Sequence, residues 1–254
     1  SDLNSLIIQH AEDAELSKDG MINDGIIATK LGLQGIPVSA ELLILERDLT
    51  LLEYNNCRYH ISQISSASSV EIIRERKKKV NFSCGVSINN LSLNENDIGD
   101  FKTFLKLSPP LRTEDDRNAL VQGLVDETID VIVSDHKPED EENKRLTFAQ
   151  AETGASGIET LLPLSLELYH NGSVNLETII KALTSSPAKI LKINKGNLSI
   201  GNDADFCIVD INKPWVVRKE KLISKSKNTP IEDKKLQGKV MNTFVNGEEL
   251  FKAE

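Results

Sequence analysis

The chain has 254 residues, with 30 Lys+Arg against 39 Asp+Glu and a formal net charge of −9. That length suits one large α/β domain, or one domain with a small appendage. The acidic balance without a basic stripe argues against nucleic acid as a partner. No apolar run reaches the roughly 18 residues of a membrane span and no secretory leader is recognisable, so a cytoplasmic protein away from the membrane is expected.

In chain order, "SLIIQH" (5–10) reads as a strand. Residues 39–55 carry helical apolar spacing at Leu42, Leu45, Leu49 and Leu52, with Ser39 as the expected N-cap. "RYHISQI" (58–64) is a strand, and 66–79 a serine-capped helix whose closing Lys77-Lys78-Lys79 suits a helix C-terminus. "VNFSCGVSI" (80–88) is a strand. Residues 113–127 form a helix capped by Thr113, with acids in its first turn. "IDVIVSD" (129–135) is the next strand. Helices follow over 157–172, closed by Asn-Gly, and over 175–191, interrupted before Pro187. The acidic and basic run "KPEDEENKR" (137–145) reads as a lid or a solvated loop, and its charge density favours the loop. After residue 193 the texture changes to short β segments with Gly and Asp turns. The three cysteines (Cys57, Cys84, Cys207) lack a CxxC spacing and are expected as buried, reduced thiols.

The early strands are continuous apolar runs, as in a parallel sheet covered on both faces. Four strand–helix units fit, where a complete βα barrel needs eight. The expected fold class is therefore α/β: the C-terminal half of a TIM-type (β/α)8 barrel over residues 1–192, plus a small β-sandwich-like tail domain over 193–254. A half barrel leaves a parallel edge unpaired, so an N-terminal portion is expected from elsewhere.

Four histidines exist, and the pattern puts His10, His60 and His136 at strand ends. A barrel's chemistry sits at that rim. Imidazoles and a carboxylate on successive strands are what a zinc site requires, although any one strand-end histidine is more often structural. His170, before Asn171-Gly172, reads as a helix-end residue.

These segments carry a resemblance. "HAED" (10–13), "YHISQISSASSVEIIRE" (59–75), "LSPPLRTEDDRNALVQGLVDETIDVIVSDHKP" (107–138), "GASGIETLLPL" (154–164) and "GNLSIGNDADFCIVD" (196–210) together resemble the C-terminal two-thirds of a class I dihydroorotase of the amidohydrolase superfamily. The resemblance implies reversible hydrolysis of L-dihydroorotate to N-carbamoyl-L-aspartate in pyrimidine biosynthesis, through a zinc-activated hydroxide. It implies that His10, His60 and Asp135 ligate one or two zinc ions, completed by residues absent from this chain. Asp135 would also carry the proton to the leaving nitrogen, and His136 would orient its neighbours. Arg112 and Glu159 would be structural, as buried ion pairs.

The substrate-binding positions depart from the family. Glu139 stands where the family's "DHAPH" ends in histidine, Ser108 where "NPPLR" begins with asparagine, and Asn89-Asn90 where "TPHHL" carries histidines. Three readings stand: a dihydroorotase with a changed substrate grip, a non-catalytic homologue that partners aspartate transcarbamoylase, or a hydantoinase-like cyclic amidase. The family also implies a homo-oligomer.

Overall fold

The structure is a computed structural model that describes residues 5–55 and 57–253; the expected domain ends at residues 1 and 254 lie outside them. In chain order it runs β1 (Leu6–Gln9), β2 (Ile22–Asn23), α1 (Ile26–Leu31), β3 (Gly35–Ile36), α2 (Val38–Tyr54), β4 (Arg58–Ile64), α3 (Ala67–Arg76), β5 (Ser83–Ser87), α4 (Ile88–Ser92), α5 (Glu114–Val125) and β6 (Val131–Val133). It continues through α6 (Glu141–Lys144), α7 (Leu161–His170), α8 (Leu176–Leu183), α9 (Ser185–Leu191), β7 (Phe206–Val216), β8 (Lys235–Val245) and β9 (Glu248–Lys252).

Four strands form an all-parallel sheet in the order β1-β4-β5-β6, each paired to the next long strand in the chain. Helices α2, α3 and α5 make the crossovers, as parallel pairing demands. Ile61, Ile64, Cys84, Val86 and Ile132 from the strands pack with Leu45 and Leu49 of α2, Val70 and Ile73 of α3 and Leu120 and Leu124 of α5 in the main core.

Local signals explain where the helices begin and end. The Ser66 hydroxyl accepts from Ser69 N, and Thr113 forms a capping box with Asp116. Gly172, at φ 76°, turns the chain after α7. The expected break in 175–191 falls at Thr184, between α8 and α9. Ser39 is not a cap: α2 starts one residue earlier, behind an extended Pro37.

The excursion over 20–36 was not foreseen. There β2, α1 and β3 join loops that follow β5 and β6 in a second core of Ile22, Ala28, Ile98, Leu105, Leu107, Leu111, Phe148 and Ala155. All these segments leave C-terminal strand ends, so the second core roofs that edge of the sheet.

The tail is a three-stranded antiparallel sheet, β7-β8-β9, and Asn246-Gly247 turns β8 into β9 with both φ values positive. Val217, Leu222, Ile231 and Leu236 belong to the main core, so residues 217–236 pack against the α/β part rather than apart from it. The cysteines are free, but only Cys84 is buried; Cys207 is exposed and Cys57 half-buried. The run 137–145 is not simply solvated either: it holds α6, and Lys144 within it is 1 % exposed.

Candidate functional site at the C-terminal strand ends

Side chains from all four parallel strands, or the loops just beyond them, meet around Ser108. His10 follows β1, Gln63 is the last residue but one of β4, Ser108 lies in the loop after β5, and Asp135 follows β6. Gln63 Nε2 donates to Asp135 Oδ1 at 3.2 Å and to the Ser108 carbonyl at 3.4 Å. Ser108 Oγ lies 3.3 Å from His10 Nε2 and 3.4 Å from Glu12 Oε2. Lys137 Nζ also donates to the Ser108 carbonyl, at 3.4 Å. Asp135 reaches this position with φ 45°, a left-handed conformation that aspartate tolerates better than most residues.

Glu12 stands 3.6 Å from His10 Nε2. That contact holds its carboxyl below the usual range although half-burial opposes the shift. In the same loop as Ser108, Arg112 is 3 % exposed and donates to Ser65 Oγ, Asn23 Oδ1 and the Ile36 carbonyl. Burial pushes its pKa down, while the carboxylates of Glu41, Asp116, Glu12 and Glu95 favour its charge. The expected buried ion pairs are thus replaced by other ties. Arg112 is held by neutral acceptors, and Glu159 accepts from the backbone N–H groups of Ile223 and Ser224. Asn23 passes the Arg112 network on by donating to Glu95 Oε2.

The loop 108–112 is clamped at three points: Gln63 on the Ser108 carbonyl, Asn90 Nδ2 on the Pro110 carbonyl at 3.0 Å, and Arg112 itself. Asn90 is 3 % exposed and supports that loop. His136 Nδ1 accepts from Gly157 N at 3.2 Å, so in the neutral ring the proton sits on Nε2. The main chain of Glu139 is fastened to the tail: its N–H donates to Asn228 Oδ1 and its carbonyl accepts from Ser226 Oγ. Asn228, 2 % exposed, also donates to the Gly154 carbonyl and accepts from Ser156 Oγ, tying the loops beyond β6 together.

His60 does not join the cluster. It is the third of seven residues in β4, level with Ile8 and Ser83, whereas Gln63 is the sixth. Its Nδ1 lies 2.8 Å from Ser83 Oγ, and burial pushes its pKa down against the field of Asp130. Lys77 and Asp130, which act on it, belong to the opposite end of the sheet, where Lys77 donates to Asp130 Oδ2 at 2.7 Å. The expectation placed His60 at the strand end, whereas β4 runs four residues beyond it. Gln63, Glu12 and Asn228 were missed. A glutamine near the C-terminal end of the same strand, three residues beyond His60, was the visible signal for the first of them.

A zinc ion needs about four donors, three of them from protein even in an open site. His10 and Asp135 offer an imidazole and a carboxylate, but the next strand end offers an amide. Among the described residues no group of three or more His, Cys, Asp or Glu could hold a metal ion. The residues present therefore do not fit zinc by themselves.

The chain is 43 % identical over 254 residues to a dihydroorotase of Ehrlichia chaffeensis, covering 99 % of this chain and 57 % of that protein. It is 40 % identical to a dihydroorotase of Anaplasma phagocytophilum, again over 57 % of the relative. Among solved structures, an L-hydantoinase (dihydropyrimidinase) from Arthrobacter aurescens superposes with TM-score 0.88 at 26 % identity, covering 99 % of this chain and 58 % of that one. The chain thus spans less than two thirds of the length of these relatives. The amidohydrolase family profile matches residues 1–250, and with it the whole parallel sheet and the cluster at its C-terminal edge; the chain belongs to the amidohydrolase family.

Proposed function

We propose that this chain is the larger part of a dihydroorotase, which opens the cyclic amide of L-dihydroorotate to N-carbamoyl-L-aspartate and closes it again. The observation that carries this reading is the Asp135 carboxylate at the end of β6, held by Gln63 beside His10, Glu12 and Ser108. The identity to dihydroorotases over nearly the whole chain supports the substrate. The parallel sheet and its helices are then half of a (β/α)8 barrel, with chemistry at the C-terminal strand ends as that architecture requires.

In this reading Asp135 takes a proton from the attacking water and delivers it to the ring nitrogen as the C–N bond breaks. His10 and Asp135 would be this chain's own donors to a metal centre of the family, while His60, the third expected donor, lies against Ser83. Ser108 and Lys137 border the space where the ring sits, and Lys137 brings a cation towards the substrate carboxylate. His136 orients the turn that presents Asp135, and Asn90 does the same for the loop of Ser108. Glu139 lies at the margin, where its negative charge repels the anionic product.

The test is turnover of dihydroorotate by the full-length protein, read as carbamoyl-aspartate formed. Asp135→Asn is expected to lower kcat by about 10²–10⁴-fold, the usual worth of a positioned acid–base group, with folding unchanged by circular dichroism. Unchanged kcat removes Asp135 from the chemistry. A folded wild-type protein that turns over nothing sinks the catalytic reading. Co-purification with aspartate transcarbamoylase would then point to the partner role.

A further inference from the structure

Gln63 is 7 % exposed and stands at the centre of the cluster. Its two amide atoms cannot be exchanged. The atom facing Asp135 Oδ1 and the Ser108 carbonyl must be the nitrogen, because both neighbours accept hydrogen bonds. The carbonyl Oε1 is thereby turned to the other side, where it is buried and has no partner among the described residues. Buried acceptors are nearly always paired, so an unpaired one at a strand-end cluster points to a donor that arrives with a ligand. The other unpartnered buried side-chain atoms among the described residues are in α4, directly after β5: both amide atoms of Asn89, Oδ1 of Asn90 and Oγ of Ser92. The unmet hydrogen-bonding capacity thus lies at the end of β4 and just beyond β5.

We infer that Gln63 is a ligand-recognition residue whose carbonyl accepts a ring N–H of a bound cyclic ureide while its amide nitrogen holds Asp135. This rests on the reading of the cluster as a cyclic-amide site. Dihydroorotate carries two ring N–H groups, one on the nitrogen of the amide that breaks. An acceptor joined through one amide group to the donor on Asp135 ties the position of the bound ring to that of the carboxylate that hands over the proton. A neutral side chain suits the task. A glutamate here would set a like charge against Asp135 and against an anionic substrate.

The experiment measures equilibrium binding to the full-length protein by calorimetry, with dihydroorotate, dihydrouracil and dihydrouracil analogues in which one ring N–H is replaced by CH2. The wild type should prefer dihydrouracil to one of these analogues by about ten- to a hundredfold, the worth of one buried hydrogen bond. Gln63→Leu should erase that preference by weakening binding of the parent alone. Gln63→Met, closer in length, serves if the leucine variant does not fold. A variant that keeps the full preference overturns the inference, as does a wild type with none. A Gln63→Leu protein that loses bound zinc while keeping the preference also overturns it, by assigning Oε1 to a cation. Binding of dihydrouracil but not dihydroorotate defeats the dihydroorotase reading and leaves Gln63 to be judged on the dihydrouracil series. Binding of neither ring overturns both.

Discussion

Lys144 is a cation almost wholly removed from water, with Nζ donating to the Glu152 carbonyl at 2.6 Å. Burial brings its pKa down to about 8, against the opposing fields of Glu139 and Glu152. The sign of the linkage follows. Below pH 8 both folded and unfolded chains carry the proton, and the folded state bears the whole cost of burying it. Between about 8 and the ordinary lysine value the unfolded chain still holds the proton and the folded chain has released it, so this residue makes stability rise with pH. Urea unfolding of wild type and Lys144→Met at pH 7.5, 8.5 and 9.5 should give a difference that moves in favour of the wild type as pH rises. A constant difference would mean that Lys144 does not titrate there. Comparing the two proteins cancels Cys84, whose buried thiol is pushed up to about 12 in both. Residues of this kind were hidden in the sequence, where Lys144 sits in a run of charges that reads as solvent-facing. His10 and Asp135 were legible because each follows a strong apolar strand, and Ser108 because it opens a segment that resembles the family's NPPLR. The choice between His60 and Gln63 was not legible, because it depends on where β4 stops against β5. Pairing register sets that point, not local composition.

At the scale of elements, Asp116 joins two helices. Its Oδ2 accepts from Thr113 N at 3.2 Å and Thr113 Oγ1 at 2.6 Å, closing the capping box of α5. Its Oδ1 accepts from Ala67 N at 2.8 Å, serving the free N-terminus of α3. One carboxylate therefore satisfies orphan donors of two neighbouring helices and lies at the positive end of both. Asp116→Ala is expected to cost about 2 kcal/mol, twice an ordinary cap, and to lower Tm by roughly 4–8 °C in a thermal melt. A loss of a degree or less would mean that water replaces it at both helices. The cap of α5 was visible from Thr113 and the acids behind it, as the α8–α9 break was from Pro187. The tie to α3 was not, since it spans 49 residues. The excursion through β2, α1 and β3 escaped for a related reason. Its strands are two residues long and its apolar residues meet partners from two distant loops, so no periodicity within one segment marks it.

For the whole molecule, the decisive feature is the pair of edges on the parallel sheet. β1 pairs with β4 on one side, and β6 with β5 on the other, with no further partner for either among the described residues. Parallel sheets are covered on both faces in folded proteins, yet Ile7 is 48 % and Ile8 54 % exposed on the β1 edge. The relatives are longer than this chain by the share it does not span, which is where cover for these edges would come from in the proposed barrel. An apolar, unpaired edge of four residues is a template for association. The 254-residue chain produced alone should therefore self-associate at micromolar concentration, seen as a mass above 28.1 kDa by light scattering. Ile8→Lys places a charge on that edge, and its long side chain can reach water from an exposed position. It should shift the population towards the monomer while leaving far-ultraviolet circular dichroism unchanged. If the mass does not fall, association runs through another surface, of which the solvent-facing β9 with Leu250 and Phe251 is the next candidate.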